Sequence, residues 1–327
     1  MARRRPDESD VRIRPARSTR PRSKDRPSHT DSVSAKVLTV DRGRTLCRLD
    51  SGVLVSAMKA RELGKNSVVV GDVVNLVGDV SGQAGSLARI VMVQPRRNSL
   101  SRTIDDAGAF EKTIAANIDQ MLIVAACANP EPRHGFIDRC LAVAYDQGIA
   151  PIIVMTKRDL ADPSDFLKSY DALAVTSFAI QRDGDLSALQ SILAGKDSVL
   201  IGHSGVGKST LVNALTGGNV RATGDVNDAT GRGRHTSSSA IALDIPNDSG
   251  TIIDTPGVRS FGLEHIDRNR VISSFSELAD AISSCPKNCS HDEEKCGLND
   301  YVLQHPESQQ RVQGLRRLLN TTSQLIT

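Results

Sequence analysis

Tryptophan is absent from this 327-residue chain, and Phe and Tyr are so few that aromatics make up only 3% of it. Large rings cannot fill the core, so Val, Ile, Leu and Ala must do so, as in parallel sheets covered by helices on both faces. An α/β class follows. No apolar run is long enough to span a bilayer and no hydrophobic signal segment opens the chain, so no membrane partner and a cytoplasmic location are expected. Cysteine is scarce at six residues, and Cys47, Cys127 and Cys140, scattered among apolar neighbours, read as buried small hydrophobes. Length calls for two or three domains.

The net charge of +3 is small but unevenly placed. Arg3, Arg4, Arg5, Arg12, Arg14, Arg17, Arg20, Arg22, Lys24 and Arg26 crowd the start, broken by Pro6, Pro15, Pro21 and Pro27. Residues 1–32 are expected to be a disordered basic arm suited to RNA phosphates, where each contact releases a counterion. Asp7, Glu8 and Asp10 argue against a transit peptide.

Residues 33–95 read as short, turn-separated strands at Ala35 to Val40, Leu46 to Leu49, Val53 to Ala57, Asp72 to Val77 and Ala88 to Val93. Such spacing predicts a small barrel, best of the oligonucleotide-binding (OB) type. Without rings for stacking bases, RNA recognition there would fall to Lys36, Arg42, Arg44, Arg48, Lys59, Arg61 and Lys65. Residues 96–117 read as a polar linker. From 118 to 264 strands alternate with helices, which implies parallel pairing: strands at Gln120 to Ala126, Pro151 to Met155, Leu173 to Thr176, Ser198 to Ile201, Ala240 to Ile245 and Thr251 to Asp254. Residues 265–327 read as helical, over Val271 to Ile282 and Pro306 to Leu319.

Three motifs sit at predicted strand ends. Gly202, His203, Ser204, Gly205, Val206, Gly207, Lys208 and Ser209 spell GxxxxGKS between a strand and the amphipathic run Thr210 to Leu215. Its glycines let successive N–H groups turn toward phosphates at a helix N-terminus. Lys208 would reach the β and γ phosphates and the Ser209 hydroxyl would bind Mg²⁺. Asp254-Thr255-Pro256-Gly257 places a carboxylate near that cation and the Gly257 N–H near the γ-phosphate. Thr156-Lys157-Arg158-Asp159 offers the Asp159 carboxylate to guanine N1 and N2 donors, which adenine lacks, with the Lys157 stem packed on the ring. Guanine is favoured. A P-loop kinase would have no use for TKxD; an RNA-binding scaffold with a merely structural nucleotide is the alternative.

Near the C-terminus, Cys285, Cys289, His291 and Cys296 put three thiolates and an imidazole within a dozen residues, a donor set for one structural tetrahedral Zn²⁺. The intervening Pro, Lys, Asn, Asp and Glu cannot form a core.

In ordinary small GTPases the phosphate loop precedes the base reader, whereas here the base reader comes first. This permuted order, with Gly231-Arg232-Gly233-Arg234-His235-Thr236, the IDTPGVRSFGL segment, the barrel and the cysteine cluster, resembles the ribosome small subunit-dependent GTPase A family from about Ser34 to the last helix. The resemblance implies a circularly permuted P-loop GTPase domain between an N-terminal OB-type barrel and a C-terminal helical zinc domain. It further implies a monomeric bacterial assembly factor that binds the small ribosomal subunit and its rRNA late in maturation and hydrolyses GTP to GDP when stimulated by it. Carried over by residue, Gly202 to Thr210 form the phosphate loop, Thr156 to Asp159 the base reader, Thr236 closes on Mg²⁺, and Ser177 supports guanine O6. The family usually has Asn where Thr156 stands, and Phe178 replaces a smaller residue. Val258 follows the DxxG glycine where many GTPases carry a water-orienting Gln, so slow intrinsic turnover is expected, with His235 either catalytic or an RNA contact.

Overall fold

A computed structural model of the chain describes residues 31–41, 43–64, 67–104, 110–218, 240–247, 249–255 and 266–323. Five strands come first: β1 Val33–Asp41, β2 Arg44–Leu49, β3 Leu54–Lys59, β4 Val73–Gly78 and β5 Ala88–Val93. They pair in the order β1-β2-β3-β5-β4 and close through β1–β4, with β3–β5 parallel and the other pairs antiparallel. Alternate residues point inward, among them Val37, Cys47, Val55, Val74, Leu76 and Ile90, and fill one apolar core, as the period-two pleat of a closed sheet requires. The result is an OB-like barrel. Burial pushes the Cys47 thiol up to about 12.

The barrel's basic residues divide differently from the RNA-facing set expected. Lys36 pairs with Asp197, and Arg48 lies 2.6 Å from Asp244. Both acids belong to the sheet that follows, which continues from the barrel where Thr39 pairs with Ile241. Arg44 and Arg61 stay exposed, while Arg42 and Lys65 lie outside the described residues.

Where a linker is expected, the chain forms an antiparallel hairpin of β6 Ser99–Ile104 and β7 Phe110–Ala116. Its base is tightly joined to the barrel. The buried Asp72 carboxylate accepts from Arg96 at 2.7 and 2.9 Å, and Asn117 donates to the Gly71 carbonyl while accepting from the Arg97 N–H. Gly71 has φ +85°, and a Cβ there would fall 2.1 Å from the Ala116 carbonyl oxygen, so no side chain fits.

The main sheet comprises β8 Gln120–Ala126, β9 Ala150–Thr156, β10 Thr176–Ala179, β11 Asp197–Ile201, β12 Ile241–Asp244 and β13 Thr251–Asp254. Its order is β10-β9-β8-β11-β13-β12, parallel except for β12. Between its strands run α1 His134–Asp146, α2 Ser164–Asp171, α3 Ser187–Leu193 and α4 Lys208–Leu215. Every residue of β8 is buried. Met121, Ile123 and Ala125 pack on the face covered by α1, and Leu122, Val124 and Ala126 on the face covered by α3 and α4. A near-continuous apolar strand is what two covered faces demand.

The strand expected at Leu173 to Thr176 begins only at Thr176, because Leu173 and Ala174 turn, the latter at φ 51°. The single helix expected over Val271 to Ile282 is broken into α5 Arg268–Ser273, a 3₁₀ turn and α6 Ala279–Ser283. The Ser273 and Ser274 hydroxyls donate back to the Arg270 carbonyl and help end α5. Then follow α7 Gly297–Gln304 and α8 Gln309–Ser323. Val312, Leu315, Leu318 and Leu319 of α8 enter the same core as α1. Among the described residues no helix is long and apolar enough to cross a membrane.

Candidate functional site

The parallel strands β9, β11 and β13 all finish at one edge of the sheet, where open α/β folds bind ligands. Register sets Leu200 of β11 beside Asp254 of β13, and Ala126 of β8 beside Thr156 of β9. The base reader, the phosphate loop and the acidic strand end are thereby neighbours despite their permuted order in the chain.

After β11, Gly202 passes so close to β8 that a Cβ would lie 2.4 Å from the Val124 carbonyl oxygen. Gly205 and Gly207 have φ of 80° and 93°, a left-handed backbone that side chains resist. Val206 is buried and anchors the loop, and its carbonyl accepts from the Thr156 hydroxyl at 2.5 Å. Thr156 also reaches the Ala125 carbonyl at 3.3 Å. The short hydroxyl that stands where an amide is usual thus ties the end of β9 directly to the glycine-rich loop after β11. Ser209 and Thr210, in the first turn of α4, are exposed at the loop mouth.

The Lys208 ammonium donates to the carbonyls of Gly202 and His203, the latter at 2.7 Å, folding back across its own loop. Burial lowers its pKa and the Asp254 charge opposes that; burial raises the Asp254 carboxyl, with Lys208 opposing in turn. Two half-buried opposite charges therefore influence each other where the glycine-rich loop meets the end of β13. His203 lies against Phe136 of α1, ring centroids 4.3 Å apart, and burial followed by Arg133 and Arg139 lowers its pKa, favouring the neutral ring.

Beyond β9, Asp159 is exposed and Lys157 adopts φ 57° while its ammonium donates to the Asn129 carbonyl. Ser177 is not brought to this end. It pairs with Ile153, three residues short of Thr156. The backbone beside the base reader is that of Ile180, whose N–H donates to the Met155 carbonyl and whose carbonyl accepts from Arg158. Sequence reasoning missed Ile180 because the strand begins later than its apolar pattern indicates. His235, Thr236 and Gly257 lie outside the described residues.

At the other end of the chain the donor atoms of Cys285, Cys289, His291 and Cys296 all lie within 4.8 Å of one another. Cys285 Sγ is 3.7 Å from Cys296 Sγ and 3.6 Å from His291 Nδ1. Thiolates about 2.3 Å from a tetrahedral ion lie roughly 3.8 Å apart, so the spacing fits a metal centre. The N–H groups of His291 and Gly297 each point at a sulfur of the cluster, 3.3 Å from Cys289 and Cys285 respectively. Burial, with the adjacent thiols Cys296 and Cys289, pushes Cys285 up to about 11, a crowding that a cation would relieve. Burial, then Arg268 and Arg316, lowers His291 toward the neutral form that ligates.

Comparison with known proteins agrees with this geometry. The model of the RsgA GTPase family matches residues 93–264. The "Small ribosomal subunit biogenesis GTPase RsgA" of Pseudomonas aeruginosa is 37% identical over 240 residues, 70% of each chain. Its namesake in Shewanella oneidensis is 37% identical over 265 residues, 77% of this chain and 74% of that one. Among solved structures, YjeQ from Thermotoga maritima superposes with a TM-score of 0.65 at 23% identity, over 90% of this chain and 99% of that one. YloQ, described as a circularly permuted GTPase, gives 0.64 at 21%, over 91% and 98%. With a family match across more than half its length, on a fold whose motifs run in permuted order, the chain belongs to the RsgA GTPase family and is a GTP-hydrolysing enzyme.

Proposed function

We propose that the chain is a cytoplasmic, monomeric factor that binds the small ribosomal subunit and its rRNA late in maturation, and hydrolyses GTP when the subunit stimulates it. The relatives in Pseudomonas aeruginosa and Shewanella oneidensis carry the name of small-subunit biogenesis GTPases. The observation that carries the catalytic half is the convergence of the Thr156 and Val206 backbones with Asp254 at one sheet edge, joined by the Thr156 hydrogen bond. In this reading Asp159 accepts from guanine, Lys208 holds the β and γ phosphates, and Ser209 and Thr236 take Mg²⁺ near Asp254. Bound Mg²⁺ supplies charge neutralisation at the phosphates. Cys285, Cys289, His291 and Cys296 hold one structural Zn²⁺. Arg44 and Arg61 on the barrel, with the basic arm, are the candidate rRNA phosphate contacts.

GTP turnover measured with small subunits, large subunits and no ribosomes tests the whole reading. Small subunits alone are expected to raise kcat at least about tenfold over a slow basal rate. Equal rates in all three arms would reject it. The base assignment has its own test in Asp159→Asn. A hydrogen bond to a charged group is worth about 1.5–3 kcal/mol, so loss of the carboxylate acceptor should weaken GTP binding by roughly 10²-fold or more. The amide N–H now meets the C2 carbonyl of xanthine, so xanthosine triphosphate should bind better than GTP. Unchanged preference for GTP, read by competition against a fluorescent nucleotide, would remove Asp159 from the base pocket.

A further inference from the structure

Two adjacent arginines on α8 face opposite ways. Arg316 grips the cysteine knuckle, its Nε donating to the His291 carbonyl at 2.6 Å and an Nη to Asn299 Oδ1 at 2.7 Å. Asn299 in turn donates to the carbonyls of Glu293 and Glu294 within the ligand loop. Arg317 grips the GTPase sheet's outer helices. Its Nε lies 3.1 Å from Asp138 Oδ2 of α1, its guanidinium carbon sits 4.9 Å over the Tyr170 ring of α2, and an Nη donates to the Ser169 carbonyl. Asp138 and Tyr170 are buried, at 3% and 1% exposure, while the Arg317 side chain is 35% exposed, so the arginine reaches from the surface onto a buried carboxylate and ring.

One half-turn before Asp138, the same helix presents Phe136 to His203 of the phosphate loop. The backbones of α8 and α1 thus join three sets of contacts into one path: Arg316 on the cysteine loop, Arg317 on Asp138, and Phe136 on His203. We propose that Arg317 is a positioning residue for hydrolysis: it fastens α8 to the first turns of α1, so that load applied to the knuckle by a docked partner reaches the phosphate loop. This rests on the stimulation by small subunits proposed above. Packed interiors transmit displacement because they do not compress, and the joint supplies a physical path between the knuckle and the phosphate loop.

The test replaces the pair by apolar residues of similar size, Asp138→Leu with Arg317→Met, since buried ion pairs exchanged whole for hydrophobes commonly leave folding intact. Melting temperature, bound zinc and small-subunit affinity are measured beside kcat and KM for GTP, with and without subunits. The expected result is unchanged basal kcat and KM and a subunit-stimulated kcat lowered at least fivefold. Arg317→Lys, which keeps the charge on Asp138 and disturbs folding less, is expected to hold stimulation within threefold of the natural chain. Full stimulation in the apolar pair would overturn the proposal, as would a lysine variant of unaltered melting temperature that loses as much as the pair. An unstimulated natural chain would instead remove the function reading and this link together.

Discussion

Lys208→Ala is expected to lower kcat/KM for GTP by about 10³-fold, near 4 kcal/mol of transition-state stabilisation. The reason lies in what the ammonium already does. It is half-hidden, bonded to two loop carbonyls, and faces the half-buried Asp254 carboxylate. Aimed charge in a partly desolvated site needs no reorganisation when negative charge develops on transferring phosphoryl oxygens, and alanine removes it without altering the loop's glycines. The same change leaves Asp254 with less opposition to its raised pKa. A carboxyl whose folded pKa stands above its unfolded value penalises the folded state as pH rises past the unfolded value, so the variant's stability deficit should be larger at neutral than at acid pH. Phosphate release in single turnover, with and without small subunits, reads the first effect, and melting temperature against pH the second. Turnover within tenfold of the natural chain would put the catalytic charge elsewhere.

The strand ends that carry the nucleotide motifs were legible because phosphate chemistry restricts them. Glycine is strongly favoured by the left-handed backbone at positions 205 and 207, and a near-continuous apolar run such as Gln120–Ala126 suits a strand buried on both faces. The cysteine cluster was legible through donor type alone. Elements with one wet face were not. The hairpin reads as linker because its described buried residues are few, Leu100, Ala115 and Ala116 among them. The edge strand β10, with Thr176 and Ser177 exposed, carries too weak a pattern to fix its register, and that displaced Ser177 from the base reader. Helix α2 buries only Tyr170 along its length. Arg316 and Arg317 look in sequence like ordinary helix-surface charges, and nothing local distinguishes them from Lys36 or Arg48, which also pair with groups of another part of the fold. Charge direction is decided by tertiary packing, which a single chain does not display.

Cys296→Ser is expected to release the bound zinc and unravel the loop from Cys285 to Gly297. Cys296 is the most enclosed of the four clustered donors, 1% exposed, and it stands directly before α7. Gly297 beside it approaches Ala281 so closely that a Cβ would fall 2.2 Å from that carbonyl oxygen, so this ligand also fixes how α7 meets α6. The polar residues between the ligands bury nothing that could replace the ion, and metal binding in such small loops is itself folding free energy. The apolar side of α8 should survive, since it packs into the core shared with α1 rather than onto the metal. Local rather than global unfolding therefore follows, costing about 3–5 kcal/mol and roughly 10 °C in melting temperature. Amide exchange is expected to quicken across α6 and α7 while the barrel strands keep their protection. Retained stoichiometric zinc in the serine variant, or exchange that quickens equally in barrel and knuckle, would refute a structural metal confined to this loop.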